Sequence, residues 1–295
     1  MNGALTADIC VVVLTCNRRE SLRRTLTQLC AWPEAVPVAV ADNGSTDGTT
    51  EMLRADFPGV THLRGDTNIG AAGRNRGAEW AATVARTRYV AFCDDDCWWG
   101  RGSLSRACAL FDAHPRVGAL TARVLVGESE REDPTSRVMA HSPLPSAGLP
   151  GRAILGLMAG ATAFRTDAFR AAGGYEPRFF IGGEETVLAL DLAAAGWQLL
   201  YAPVLVVHHW PSPLRDVRAR RRLLERNAIW AAWLRLPVPM ACRATAAALP
   251  RLWREHGIAG VIETLRAVPW ITHERRVVPR PVARAFARVT GANTR

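Results

Sequence analysis

The sequence predicts an α/β fold: a mostly parallel sheet flanked by helices, with a basic helical C-terminal appendage. Three observations lead there. Short apolar runs alternate with helix-period stretches over the first hundred residues, a β-α-β-α-β-α-β order that calls for a parallel sheet. Polar clusters stand just after three of those runs, at the strand ends where such sheets bind ligands. Beyond residue 212 the chain turns arginine-rich and helical in pattern.

Taken in order, residues 9–14 read as the first strand. Residues 19–31 follow as a helix, with Leu22, Leu26 and Leu29 on one face. Residues 36–40 are a second strand and 46–55 a second helix, with its N-cap at Ser45 or Thr46 after an Asn43-Gly44 turn. A third strand (60–63), a third helix (71–85) and a fourth strand (89–93) complete the pattern. Residues 127–151, acidic at first and then rich in proline and glycine, read as a mobile loop. Residues 153–164 are small and apolar, 185–195 helical, and 199–207 a strand ending at His208-His209.

At 295 residues and 48% hydrophobic content, the chain has ample material for a core, which excludes a disordered protein. Seven cysteines, an odd number with no CxxC pair, point to reduced cytoplasmic thiols and not to a disulfide frame or zinc site. No signal peptide is visible at the N-terminus, and no apolar run is long enough for a transmembrane helix. The net charge of +10 is unevenly placed. Residues 215–295 hold 17 Arg against 5 acids, a net of +12, whereas residues 1–214 hold 20 Arg and 22 acids, a net of −2.

The most telling local feature is Asp94-Asp95-Asp96 at the tip of the fourth strand. Adjacent carboxylates repel one another and resist burial unless a cation sits among them. A divalent ion, completing its shell with phosphate oxygens, answers that need. A solvated acidic turn is the alternative. Asp42, also at a strand end, can accept from a base N–H or a ribose hydroxyl. Asn68 to Gly77 is glycine-rich and opens a helix, where Arg74 can bond phosphate. Trp98 and Trp99 can stack on a sugar, while Trp197, Trp210, Trp230, Trp233, Trp253 and Trp270 read as packing anchors.

In order and spacing, residues 13–18 (VLTCNR), 42–49 (DNGSTDGT), 68–75 (NIGAAGRN), 94–96 (DDD), 182–185 (GGEE) and 207–209 (VHH) resemble the family 2 glycosyltransferases of the GT-A fold. The resemblance runs from about residue 8 to residue 210. It implies a GT-A catalytic domain over 1–212, with a nucleotide-binding half (1–122) and an acceptor half (123–212), followed by the helical region 213–295. It implies inverting transfer of a sugar from a nucleotide diphosphate, of the UDP or dTDP type, to an acceptor hydroxyl on a small molecule or lipid-linked glycan. Thr15, Asn17 and Asp42 then become base or ribose contacts, with Asn68 beside them, and Arg74 a base or diphosphate contact. Asp94 faces ribose or a bridging water, Asp95 is a lesser contact, and Asp96 with His208 holds Mn²⁺ or Mg²⁺. Glu185 is the general base, with Glu184 as fallback. Asp191 stands where relatives usually carry Arg, which implies an altered acceptor side or a changed ion pair.

Two other classes compete. A nucleotidyltransferase would want a glycine-rich loop after strand one, and Thr15-Cys16-Asn17-Arg18-Arg19 has no glycine. A catalytically inactive sugar-nucleotide-binding module is the other. The basic tail reads as a cover for the acceptor site or as a peripheral contact at the inner membrane face. No interleaved aromatic–basic motif favours nucleic acid.

Overall fold

The structure, a computed structural model, describes residues 8–31, 36–211 and 217–292. Residues 1–7, where a signal peptide would begin, and the boundary expected at 212/213 lie outside the described residues.

The first half follows the pattern of its apolar runs. Strand β1 (Ile9–Thr15) is followed by helix α1 (Arg19–Cys30), then β2 (Val38–Asp42), α2 (Thr49–Asp56), β3 (Thr61–Arg64), α3 (Gly73–Thr83) and β4 (Tyr89–Asp94). β1 lies between β2 and β4, parallel to both, so its near-continuous run of β-branched residues is buried on both faces. Leu22, Leu26 and Met52 of α1 and α2 close one face of the sheet. α3 closes the other at short range: a Cβ on Gly77 would lie 2.2 Å from Val12 Cγ1.

Beyond β4 the sheet becomes mixed. The chain continues through β5 (Cys97–Trp99), α4 (Ser103–Ala113), β6 (Val117–Val126), β7 (Arg131–Glu132), α5 (Pro134–Ala140), β8 (Arg152–Ala153), β9 (Thr162–Arg165) and α6 (Thr166–Ala171). It then passes through α7 (Glu184–Ala194) into β10 (Gln198–His209). The strand order is β3-β2-β1-β4-β9-β6-β10-β5. β9 runs antiparallel to β4 and β6, which it joins, and β10 is parallel to β6.

Two expectations change. The second helix starts at Thr49, not residue 46: Gly48 adopts φ 84°, and Asp47 instead of Ser45 or Thr46 accepts from Thr49 N at 3.3 Å and from Thr49 Oγ1 at 2.6 Å. The expected mobile loop of 127–151 contains α5, capped by Asp133 accepting from Thr135 N at 2.7 Å. Proline there serves the first helical turn, where it is tolerated.

The basic region is helical and packs on the sheet domain. It comprises α8 (Val217–Arg235), α9 (Val238–Leu265), α10 (Val268–Glu274) and α11 (Arg280–Ala292). Trp230 and Leu234 of α8 bury against Phe179 and Val187, with Ala267 and Ile271 completing the cluster. Trp230 and Trp270 are anchors, as expected, but Trp253 is 54% exposed. α9 is broken at Gly257 (φ 56°, ψ −153°), a backbone conformation that glycine tolerates.

One buried side chain links this region to the segment before α7. Asn227, fully buried, donates from Nδ2 to Phe179 O (2.8 Å) and Ile181 O (3.1 Å), and also to Gly182 O. Asn227→Ala takes the donor from Ile181 O and Gly182 O, whereas Phe179 O keeps Ile181 N (2.8 Å) and Arg226 Nη2 (3.3 Å). The expected cost is about 1–3 kcal/mol of unfolding free energy, read by urea denaturation, with weaker binding in the adjoining cavity.

Candidate functional site

The carboxyl ends of β1, β2 and β4 share one edge of the sheet. Register pairs Thr15 with Asp42 and Leu14 with Asp94, so the polar clusters arrive side by side. They open into a cavity of about 710 Å³. Asp94, Asp95, Asp96, Arg74, Glu184 and Glu185 line it together, although they come from three separate stretches of chain.

The acidic triplet is mostly buried. Asp95 accepts from Thr15 Oγ1 at 2.9 Å and lies 3.6 Å from Arg18 Nε. Burial pushes its carboxyl up to about 7; Arg18 opposes that shift, and Asp96 and Asp94 add to it. Asp96 lies 3.4 Å from Arg18 Nη2 and 3.6 Å from His209 Nε2. Asp96, Cys97 and His209 bring a carboxylate oxygen, a sulfur and an imidazole nitrogen within 4.8 Å of one another.

His208 is not in that group. It stacks on Trp98 (5.6 Å between ring centroids) and its Nδ1 faces Glu130 Oε1 at 3.3 Å. Adjacent strand residues point to opposite faces, and β10 aims Val207 and His209 into the cavity. The imidazole that meets Asp96 is therefore that of His209.

The opposite wall carries the glutamates. Glu185 Oε1 accepts from Ala159 N at 3.1 Å. Glu184 is only 3% exposed, and its Oε2 has no hydrogen-bond partner. Burial, then the charge of Glu185, pushes its carboxyl up to about 7. Arg74 is buried and ion-paired with Asp94. Burial disfavours its charge, but Asp94, with Tyr175 and the two glutamates, outweighs that and holds its pKa above the ordinary value.

Several expected contacts are placed elsewhere. Asp42 is fully buried, accepts from Ser45 N at 2.8 Å, and faces His62 Nε2 (3.1 Å) and Arg64 Nη1 (3.3 Å), so its carboxylate is committed inside the turn. Asn17 is exposed and caps the same turn, accepting from Thr46 N at 2.7 Å. Thr15 and Asn68 do line the cavity. Trp99 is a core residue, 1% exposed, donating from Nε1 to Phe92 O at 3.2 Å, and Trp98 lies with His208 outside the lining. Asp191 makes a two-point ion pair with Arg235, with Nη2 to Oδ2 at 2.9 Å. That ion pair joins α7 to α8. Arg18, Cys97 and His209 are not among the site residues expected from the sequence; each lies next to one that is, Asn17, Asp96 and His208.

Residues 10–172, more than half of the chain, match the glycosyl transferase family 2 model. An N-acetylglucosaminyl-diphospho-decaprenol L-rhamnosyltransferase of Mycobacterium tuberculosis is 28% identical over 236 residues, 70% of this chain and 77% of the relative. Among solved structures, the mannosyltransferase PcManGT from Pyrobaculum calidifontis, in complex with GDP-Man and Mn²⁺, superposes with a TM-score of 0.59 at 19% identity, covering 97% of this chain and 86% of that one. S. aureus TarS 1-349 in complex with UDP gives 0.55 at 18% identity, covering 96% and 88%. Sheet order, the cavity at the strand ends and the family match agree: the chain belongs to glycosyltransferase family 2 and is a glycosyltransferase of the GT-A fold.

Proposed function

We propose that the protein is a divalent-metal-dependent, inverting glycosyltransferase. It moves a sugar from a nucleotide diphosphate of the UDP or dTDP type to a hydroxyl of a lipid-diphosphate-linked glycan. One observation carries the reading: the acidic triplet, Arg74 and the Glu184–Glu185 pair line a single cavity at the strand ends. The lipid-diphosphate acceptor of the mycobacterial relative supports the acceptor class, and UDP in the S. aureus structure supports the nucleotide class.

The donor set fits a divalent cation. Asp96 and His209 offer a hard carboxylate and an imidazole, a pair suited to Mn²⁺. Cys97 is a poorer ligand, because burial pushes its thiol well above the usual range and keeps it protonated. Bound there, the cation would neutralise the diphosphate leaving group. Mn²⁺ in the Pyrobaculum complex accords with this.

The chain's own residues supply the rest. Arg18 and Arg74 bring fixed positive charge to the diphosphate side. Thr15, Asn43 and Asn68 present hydroxyl and amide groups to the nucleoside. Glu185, held by the Ala159 N–H, takes the proton of the acceptor hydroxyl. The acceptor oxygen attacks the anomeric carbon as its bond to the diphosphate breaks, which inverts that centre and releases the nucleoside diphosphate. Glu184, protonated up to about pH 7, puts no second full charge beside the base. The enzyme works as a peripheral protein at the cytoplasmic membrane face; among the described residues no helix is long and apolar enough to cross a bilayer.

Asp96→Ala and His209→Ala should each abolish Mn²⁺-dependent binding of a nucleoside diphosphate by calorimetry, whereas His208→Ala should retain it. Equal loss in His208→Ala and His209→Ala would refute the assignment.

Glu185→Gln should leave donor binding intact and lower turnover by roughly 10²-fold or more. Should Glu184→Gln be the crippled variant instead, the base is misassigned by one position.

Glu184 also ties stability to pH. Its folded pKa, about 7, is raised above the ordinary 4.5, so the stability it contributes is full below about 4.5 and lost as pH rises through 7. Glu184→Gln should therefore gain stability relative to wild type between pH 5 and pH 8, by about 1–3 kcal/mol, measured by thermal or urea unfolding across that range.

A further inference from the structure

The helical region shows solvent an apolar face that the proposed chemistry does not use. On α9, Leu249 and Trp253 lie one turn apart, and Ile258, Ile262 and Leu265 repeat at helical spacing beyond the Gly257 break. Trp253 is 54% exposed, Ile258 62% and Leu265 59%. Buried residues occupy the adjoining face of the first segment, at Leu252, and the opposite face of the second, at Gly260 and Thr264. A row of large apolar side chains on the outer face of an otherwise packed helix marks a contact surface.

Ion pairs place this face. Arg251 pairs with Glu225 and Arg221 with Glu255 (3.6 Å), so the first segment of α9 runs antiparallel to α8 toward its N-terminal end. Beyond the break Glu263 returns to Arg222 (3.4 Å) and Arg226, and Thr264 O accepts from Trp230 Nε1. The break at Gly257 therefore sits beside residues 221–224. Leu223 and Leu224 there line the catalytic cavity, as does Phe180; Leu224 is 44% and Phe180 38% exposed. The outer face of α9 and the lip of the cavity meet at one end of α8.

We infer that this surface, centred on the α9 break, docks on an anionic lipid bilayer and sets the cavity mouth at the membrane interface. The inference rests on the proposed lipid-linked acceptor and adds the surface that meets its membrane. Charge selects a bilayer over a second copy of the chain. Arg243 and Arg254 are exposed on the same helix, and Arg266 is exposed just past its end. The described acids of the region are already committed: Glu225 to Arg251, Glu255 to Arg221, Glu263 to Arg222 and Arg226, and Glu274 to Arg178. A second copy would bring arginines against arginines, whereas anionic head groups complement them and the acyl boundary receives the tryptophan and isoleucines.

The test is vesicle flotation with the full chain and a variant carrying Trp253→Glu, Ile258→Glu and Ile262→Glu, residues that lie on the surface and outside the cavity. Wild type should float with phosphatidylcholine vesicles containing about one quarter phosphatidylglycerol, less so at high salt, and not with phosphatidylcholine alone. The variant should bind at least about tenfold more weakly, with an unchanged thermal midpoint and unchanged nucleoside diphosphate binding. Arg254→Gln with Arg266→Gln should reduce the salt-sensitive part. The inference is overturned if wild type ignores anionic vesicles at low salt, if the glutamate variant binds them equally well, or if sedimentation shows a dimer that this variant abolishes. Nucleotide binding without vesicle binding would remove the docking surface and leave the transferase reading standing. Vesicle binding without nucleotide binding would do the reverse.

Discussion

The structure turns on a crowd of carboxylates. Asp94, Asp95, Asp96, Glu184 and Glu185 face one cavity, and two guanidiniums, Arg18 and Arg74, stand among them. Burial alone would neutralise such groups, and two of them, Asp95 and Glu184, are pushed up to about 7. Arg74, buried beside Asp94, keeps its charge because four anionic or ionisable neighbours hold it. On the proposed reading, such a site receives a cation and the anionic group a cation brings. It is costly to fold and is tolerated because apolar cores close both faces of the sheet beneath it.

Placing these groups falls to backbone geometry more than to contacts between them. The parallel register of β1, β2 and β4 sets three strand ends on one line, which brings the acidic triplet and Thr15 together without any loop having to reach. The glutamates arrive differently. They begin α7 after the 179–183 segment, and that segment is held by Asn227 of α8. Asp191 and Arg235 then fasten α7 to α8 a second time. The basic helical region thus also forms part of the cavity wall, through Leu223 and Leu224.

Much of this was readable in the residues. Strands β1, β2 and β4 announce themselves as apolar runs because both their faces are buried, and the cavity follows from the polar residues at their ends. What escaped has physical reasons. β5, β7 and β8 are two or three residues long, too short for any periodicity. The choice between His208 and His209 depends on strand parity, but residues 204–207 are all apolar, so the sequence carries no alternation to say which face is inward. Asp42 looked available because its partners His62 and Arg64 come from a neighbouring strand some twenty residues on. Asp191 looked anomalous because its partner Arg235 is 44 positions away. Motifs show which residues gather at a strand end; they do not show which of them are already bonded.

On the proposed reading, the separation of charge couples the donor to the cation. A nucleotide diphosphate entering the cavity meets the acidic triplet, and a metal ion entering alone meets Arg18 lying against Asp95 and Asp96. Each is opposed by what the other would neutralise. Binding of one must then favour binding of the other by the same factor, since the coupling is reciprocal. The acceptor is under no such constraint, because it brings its hydroxyl to the glutamate wall, where α8 provides apolar residues. Donor and cation are therefore coupled by charge at the strand ends, while the acceptor is received by apolar surface at the lip, and the two requirements are met by opposite walls of one cavity.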